Sequence, residues 1–287
     1  MAKSIKRDLN SVNYMATHFP CLALVGARQV GKTTILHGLK HGHKIFDLER
    51  HSDFELIARD PDFFLKSEKQ PIAIDEAQIH PQLFPALRVF IDEHRNQNGQ
   101  IFISGSSSPQ LIGSITESLA GRVGVVEVNT LTLAEIECEQ VSPLYVAMAQ
   151  ANINQISNLK PKNRDWREAV WWGGYPEIIL KSDVQFKRIW SEQYIQTYID
   201  RDIRRLFPDL QIEKYLQFIR MLAFSSGEII KYEEWSSAIG ASEPTIKKYV
   251  EIAQGTFLFR KYLAYSFHPT KRLMKSPKGA LCDTGLL

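Results

Sequence analysis

A glycine-bearing loop lies between an apolar run and a helical run near the start of this chain. The apolar run is Cys21–Val25, and the loop after it fits the pattern G-x-x-x-x-G-K-[ST]. Two glycines let the backbone bend until successive N–H groups point at one anion, and the positive end of the following helix adds to the attraction. The pattern therefore predicts a phosphate-binding loop. Its residues are Gly26, Ala27, Arg28, Gln29, Val30, Gly31, Lys32, Thr33 and Thr34.

Each end of this loop has its own chemistry. Lys32 can reach the β- and γ-phosphate oxygens as a point charge, and the Thr33 hydroxyl is placed to ligate Mg²⁺, whereas Thr34 is expected to support the helix. A plain glycine turn is the alternative, but the strand before the loop and the helix after it favour a nucleotide site. We expect ATP and Mg²⁺ as ligands, since the chain contains no N-K-x-D element for guanine.

A second apolar run ends in two acids, in the stretch Pro71–Gln78. We expect Asp75 to hold Mg²⁺ through its water shell and Glu76 to polarise the water that attacks the γ-phosphate. A strand that simply meets a polar turn is the alternative interpretation. It loses weight because the acids follow a phosphate-binding loop in the same chain.

Two later positions complete the predicted catalytic site. The strand at residues 100–108 ends in small hydroxyl residues, of which Ser104 and Ser106 are candidates to contact the γ-phosphate or the attacking water. A plain Gly/Ser turn is the alternative for either serine. Arg122 stands just before the last strand of the first half, where its guanidinium could reach the γ-phosphate of a neighbouring subunit. That role predicts a homo-oligomer, while a structural ion pair is the alternative for Arg122.

Composition indicates an ordinary globular protein of about two domains. The chain has 287 residues, of which 44% are hydrophobic and 23% charged, and its net charge of +3 is too small to identify a partner. Cys21, Cys138 and Cys282 lie far apart, which argues against a disulfide framework or a zinc site. No apolar run is long enough to span a membrane, and the N-terminus lacks the apolar core of a signal peptide. We therefore expect a cytoplasmic protein without a membrane partner.

Further stretches add to these motifs, and together they resemble prokaryotic AAA-type ATPases whose C-terminal part is a DUF4143 domain. The resemblance implies a five-stranded AAA-type core, a helical lid, a winged-helix region and a further domain, with ATP as the ligand. Members usually continue well beyond Asp283–Leu286, so the resemblance also implies either that this chain is truncated at its C-terminus or that the last domain is absent. The stretches that carry the resemblance are Gly26–Thr33, Asp75–Gln78, Ser104–Ser107, Leu119–Arg122, Gly173–Glu177, Tyr198–Ile203, Lys275–Lys278 and Asp283–Leu286.

The predicted fold is α/β, a parallel-sheet P-loop core followed by a helical lid and a winged-helix region. We place the core at residues 1–140, the linker and lid at 141–208 and the winged-helix region at 209–287. In the lid, one of three arginines could sense the γ-phosphate. In the last region, apolar spacing predicts three helices, and DNA could meet a set of basic residues there, although such modules also bind proteins. The arginines are Arg201, Arg204 and Arg205, and the basic residues are Lys247, Lys248, Arg260, Lys261, Lys271, Arg272, Lys275 and Lys278.

Three functional interpretations follow. The first is an Mg²⁺-dependent ATPase that passes its output through the lid to the winged-helix region. The second is a DNA-associated regulator or defence component in which ATP occupancy is the signal and slow hydrolysis resets it. The third is a nucleotide-binding scaffold without turnover, and the intact Glu76 argues against it.

Overall fold

The structure is a computed structural model that describes residues 5–39, 42–69, 71–106, 108–137, 166–265 and 275–286. The predicted linker at residues 141–165 lies outside these ranges. The described residues form a sheet-centred first half and a largely helical second half.

Five parallel strands form the central sheet of the first half. They are β1 (Cys21–Val25), β2 (Lys44–Asp47), β3 (Ile72–Asp75), β4 (Ile101–Gly105) and β5 (Val123–Glu127). Their order across the sheet is β2-β3-β4-β1-β5, and every neighbouring pair is parallel. Parallel strands end at the same edge, so Val25, Asp75 and Gly105 lie at one rim of the sheet, where ligands of such folds bind. The predicted α/β fold with a parallel sheet is confirmed.

Helices cover both faces of this sheet. They are α1 (Asn10–Ala16), α2 (Lys32–His37), α3 (His51–Arg59), α4 (Pro61–Ser67), α5 (Leu83–Glu93), α6 (Ser108–Ser118) and α7 (Leu133–Ile136). Alternation along β1 divides the core, because Ala23 packs with Leu83 on one face while Leu24 packs with Phe102 on the other. The first helix, α1, begins at Asn10 and contacts β1 and β5.

The second half is helical and ends in a small antiparallel ribbon. Its helices are α8 (Trp166–Trp172), α9 (Pro176–Leu180), α10 (Val184–Thr197), α11 (Arg204–Leu206), α12 (Ile212–Phe224), α13 (Tyr232–Ile239) and α14 (Glu243–Gly255). A π-helical stretch, Tyr198–Ile203, joins α10 to α11. Strands β6 (Phe259–Tyr262) and β7 (Lys278–Leu281) pair as the ribbon.

The three helices before the ribbon enclose a separate aromatic core. Tyr215, Phe218 and Tyr249 are completely or almost completely buried, and their rings contact one another. The Ser242 side chain caps α14 by accepting a hydrogen bond from the Thr245 backbone N–H. Among the described ranges, no helix has both the length and the apolar character needed to cross a bilayer.

Two motifs of the second half meet at one corner. Gly173 has a φ of +66°, and a Cβ at this position would lie 1.9 Å from Asp283 Oδ1. The Gly174 N–H donates to Asp283 Oδ2 over 2.8 Å. The glycine pair therefore docks the end of the described chain against the start of α9.

Candidate nucleotide site

The loop after β1 adopts a backbone that its glycines make possible. Gly26 has a φ of +157° and Gly31 a φ of +98°, values that L side chains rarely adopt. A Cβ at Gly26 would lie only 2.2 Å from the Val128 carbonyl oxygen, so there is no space for a side chain there. Gln29, at the tip of the loop, also has a positive φ of +60°. The loop then continues directly into α2.

Lys32 lies inside this loop. Its side chain is buried, and Nζ donates to the carbonyl oxygens of Gly26 (3.0 Å) and Ala27 (2.7 Å). Burial lowers the pKa of Lys32 to about 8, against the opposing charges of Glu76 and Asp75. The ammonium group therefore lies close to the backbone N–H groups that would surround an anion.

Asp75, at the end of β3, is held by two hydroxyl groups. Thr33 Oγ1 donates to Asp75 Oδ2 over 2.5 Å, and Ser104 Oγ donates to Asp75 Oδ1. Two hard oxygen donors, from Thr33 and Asp75, thus lie together beside the loop, and this set suits Mg²⁺. Ser104 was a candidate to contact the γ-phosphate, but its hydroxyl is used to orient Asp75.

Glu76 follows Asp75 with a backbone that is unusual for a glutamate. Its φ is +53°, and its N–H donates to Asp75 Oδ1 over 3.1 Å. Its Oε2 accepts from Ser106 Oγ over 3.0 Å and from Gln78 Nε2. Ser106 thus contacts the predicted catalytic base, and Gln78 is a contact to which the sequence analysis gave no role.

Arg122 is engaged within its own chain. Its Nε and Nη2 donate to the two carboxylate oxygens of Asp92 over 2.8 and 3.0 Å. These hydrogen bonds from Arg122, with those from Arg95, lower the pKa of Asp92 to about 2. This is the ion pair that the sequence analysis kept as the alternative, and a role toward a neighbouring subunit stays a prediction.

The second half contacts the tip of the loop through the π-helical stretch. Arg28 Nε donates to both carboxylate oxygens of Asp202, over 2.7 and 3.0 Å, and the Tyr194 hydroxyl donates to the Arg28 carbonyl oxygen over 3.4 Å. Sequence reasoning missed Asp202, which lies 174 residues from its partner. A cavity of about 120 Å³ lies beside this contact. It is lined by Arg28, Gln29, Trp190, Gln193, Tyr194, Thr197, Tyr198 and Asp202.

Of the three arginines predicted for the lid, two form ion pairs with acids outside the phosphate-binding loop. Arg201 pairs with Glu49 at the end of β2 (2.8 Å), and Arg204 pairs with Asp200 one turn earlier (3.0 Å). Arg205 is exposed. The Arg201 pair joins the π-helical stretch to the first half, and Arg201 is next in sequence to Asp202, the partner of Arg28.

Residues before the first strand support the loop from outside. Arg7 Nη1 donates to the Val30 carbonyl oxygen over 3.0 Å, and Nη2 donates to the Asn129 carbonyl oxygen over 2.9 Å. The same guanidinium pairs with the buried Glu135. This support was also absent from the sequence analysis, because a single Arg in an N-terminal segment has no distinguishing pattern.

Breaking the Arg28–Asp202 pair should weaken the connection between the two halves. Both side chains are largely buried, and in a double-mutant cycle of Arg28→Ala and Asp202→Ala we expect a coupling energy of about 1–2 kcal/mol in the free energy of unfolding. Urea denaturation of the four proteins measures it. The exposed pair Arg204–Asp200 is the matched control, and its coupling should be much smaller. Additive effects at Arg28 and Asp202 would show that the pair does not join the halves.

Two of the basic residues predicted to contact DNA form ion pairs within the chain. Lys247 pairs with Glu243 on α14 over 2.6 Å, and Arg260 pairs with Glu127 of the first half. Lys271 and Arg272 lie outside the described residues. The exposed face of α14 therefore carries both signs of charge, and its surface alone does not indicate a nucleic-acid partner.

Two family models match this chain, one in its sheet-centred first half and one in its helical second half. Residues 18–137 match the model of the AAA domain, and residues 163–287 match a domain of unknown function, DUF8612. The DUF4143 domain expected from the sequence is not shown, since the model that matches the second half is a different one. The expected C-terminal truncation likewise has no support. The short motifs that carried the resemblance were too few to distinguish these two domain families.

Curated relatives are longer than this chain. An uncharacterized protein of Mycobacterium tuberculosis is 30% identical over 270 residues, which cover 93% of this chain and 55% of that protein. The chain thus spans about half the length of the curated relatives it matches.

Solved structures match this chain only with low sequence identity and low TM-scores. The Thermotoga maritima RuvB Holliday junction branch migration motor is 13% identical to this chain. The match covers 90% of this chain and 88% of the motor chain, with a TM-score of 0.35. The Aeropyrum pernix ORC1 protein, solved in complex with DNA, is 12% identical with 91% and 83% coverage and a TM-score of 0.34. Likeness at this level carries no argument about function. The sheet order and the loop give the first half of this chain an α/β P-loop fold, and residues 18–137 are similar to the AAA domain.

Proposed function

We propose that this chain binds ATP with Mg²⁺ and hydrolyses the β–γ phosphoanhydride bond. The observation that supports this best is the convergence of Lys32, Thr33, Asp75 and Glu76 at one rim of the sheet, held there by hydrogen bonds within the site. A loop that served only as a turn would need neither a buried lysine nor an adjacent pair of acids.

The residues divide the work of binding. The N–H groups of Gly26–Thr33 would cradle the phosphates, and Lys32 would lie against their β- and γ-oxygens. Thr33 and Asp75 would hold Mg²⁺ on the same side. When bound, the metal would neutralise charge on the phosphates and align them. ATP is preferred over GTP because no guanine-recognising element was found in the sequence.

Glu76 would act as the general base. A water molecule attacks the γ-phosphorus, a new P–O bond forms, and the bond between the γ-phosphorus and the bridging oxygen of ADP breaks. Glu76 accepts the proton of that water, and Ser106 helps to hold the carboxylate in place. ADP and inorganic phosphate are the products.

The output would travel through the contact between Arg28 and Asp202 to the second half. We propose the domain limits 1–140 for the core, 141–208 for the linker and lid, and 209–287 for a winged-helix region. Helices α12, α13 and α14 followed by the β6–β7 ribbon support the last assignment, since this order is the winged-helix outline.

Arg122 would complete the site of a neighbouring copy, so that hydrolysis depends on assembly. We expect the specific activity to rise with protein concentration and Arg122→Ala to lower kcat by about 10³-fold or more. Steady-state phosphate release from ATP, with Mg²⁺ and after its chelation, measures both.

Asp92→Ala is the matched control for this experiment. It breaks the same ion pair but leaves the guanidinium in the protein, so it should retain activity at high protein concentration. Equal losses in Arg122→Ala and Asp92→Ala would assign the arginine to a structural ion pair and contradict the assembled site.

A DNA-associated regulator with slow hydrolysis is the second candidate. It is favoured by the turn at Gly240 between α13 and α14, which gives a helix-turn-helix outline. Phosphate release measured with and without duplex DNA distinguishes the two, because a regulator would turn over slowly in both conditions while binding DNA in an ATP-dependent way.

A further inference from the structure

We propose that Gln78 is a positioning residue for hydrolysis, which holds the carboxylate of Glu76 toward the attacking water. Gly105 makes the space in which Gln78 does so. This inference rests on the proposed function, because it assigns a support to the base of that same reaction.

The contacts around Glu76 converge on one of its two carboxylate oxygens. Oε2 accepts from the Gln78 amide and from the Ser106 hydroxyl, which come from different segments of the chain. The other carboxylate oxygen, Oε1, would then accept the proton of a water molecule. Two donors on one oxygen fix both the position and the rotation of the carboxylate.

The direction of the Gln78 amide follows from this contact. A carboxylate accepts hydrogen bonds only, so the amide nitrogen must face Glu76 and the amide oxygen must point away. That oxygen, Gln78 Oε1, is buried and has no hydrogen-bond partner among the described residues. The amide of Gln78 is therefore hydrogen-bonded through its nitrogen and not through its oxygen within the described residues. Leaving a buried oxygen unpaired costs free energy, so we infer that the contact to Glu76 determines the position of this side chain.

Gly105 leaves room for the side chain of Gln78 because it has no side chain of its own. A Cβ at residue 105 would lie 2.2 Å from Gln78 Oε1 and 3.1 Å from its amide carbon. The φ of Gly105 is not in the positive range, so the requirement for glycine here is one of space and not of conformation. Gly105 ends β4, between the two serines that contact Asp75 and Glu76.

Glu76 needs such support because its own backbone is unusual. A left-handed φ of +53° is uncommon for a residue with a long side chain and starts the short 3₁₀ turn Ala77–Ile79 that carries Gln78. The turn brings residue 78 back beside residue 76. The strained position and the support therefore belong to one local structure.

The first test compares Gln78→Leu with the wild type in ATP affinity and in kcat for phosphate release. We expect kcat to fall about 10- to 100-fold while the Kd for ATP stays unchanged, since the base is displaced but the loop is not. Gly105→Ala should produce the same pattern from the opposite side of the contact. Gln97→Leu, at an exposed glutamine of the same domain, is the control and should resemble the wild type.

The second test separates positioning from a merely structural role. In Gln78→Glu, an ionised carboxylate repels Glu76, whereas a protonated one can donate the same hydrogen bond as the amide. The ratio of variant to wild-type kcat should therefore rise as the pH is lowered. A structural defect would give a ratio independent of pH.

The outcomes separate this inference from the proposed function. Wild-type turnover with unchanged kcat in Gln78→Leu and Gly105→Ala would overturn the positioning role and leave the ATPase intact. A lowered kcat with a pH-independent ratio in Gln78→Glu would also overturn it. A wild-type protein that binds ATP without turnover, at any concentration, would instead contradict the proposed hydrolysis.

Discussion

Glu76→Gln is expected to lower kcat for ATP hydrolysis by about 10²–10⁴-fold and to leave ATP affinity unchanged. The amide keeps the size of the side chain and can still accept hydrogen bonds from Ser106 and Gln78, so the site should stay assembled. It cannot take a proton from water at neutral pH. Phosphate release and ATP binding measured on the same preparation give both quantities.

Glu55→Gln is the matched control for the base. Residue 55 lies on α3 and is exposed, so the same chemical change there removes a surface charge without touching the site. Its kcat should equal that of the wild type. If Glu76→Gln also kept wild-type turnover, another group would be the base and the account of catalysis would be wrong.

Lys32→Ala is expected to abolish measurable ATP binding, with at least a 100-fold (about 2.7 kcal/mol) loss of affinity. The ammonium is the charge nearest the backbone cradle, and its loss removes charge-assisted hydrogen bonds to the phosphates. Because burial lowers the pKa of Lys32 to about 8, wild-type affinity should also weaken as the pH rises through that value, where the amine becomes neutral. Isothermal titration with ATP and Mg²⁺ over a pH series measures this.

Stability distinguishes this loss from misfolding. Burying an ammonium costs free energy, and the direction of the Lys32 pKa shift means that the charged form is disfavoured in the folded chain. Lys32→Ala should therefore unfold at the same or a higher denaturant concentration than the wild type. Lys66→Ala, at an exposed lysine on α4, should keep both stability and binding. A destabilised Lys32→Ala protein would show that the lysine supports the fold.

The parts of the site that could be predicted from the sequence are those whose residues are neighbours in it. Gly26, Lys32 and Thr33 belong to one short pattern, and the position of Asp75 follows from a strand ending in acids. Because the strands are parallel, their ends had to meet at one rim, which brings Thr33 and Asp75 together across 42 residues.

What could not be predicted are partners far apart in the chain. Arg28 was expected at the phosphates and pairs with Asp202, and Arg122 pairs with Asp92. A guanidinium can pair with any acid that the fold brings near, and one sequence gives no sign of which. The support of the Val30 carbonyl by Arg7 depends in the same way on how residues before β1 cross the loop.

Ser104 and Ser106 show that even residues of one short motif can have contacts that the sequence does not predict. Both have the same hydroxyl, but Ser104 lies within β4 and contacts Asp75, whereas Ser106 follows the end of the strand at Gly105 and contacts Glu76. The sequence could name the pair but could not divide the roles between its members.

Binding and hydrolysis of ATP at one site can be followed together by measuring bound nucleotide and released phosphate in the same sample. Wild-type protein with Mg²⁺ should bind ATP and release phosphate, Glu76→Gln should bind ATP without releasing phosphate, and Lys32→Ala should do neither. Wild-type protein that binds no ATP in the presence of Mg²⁺ would rule out the proposed nucleotide site.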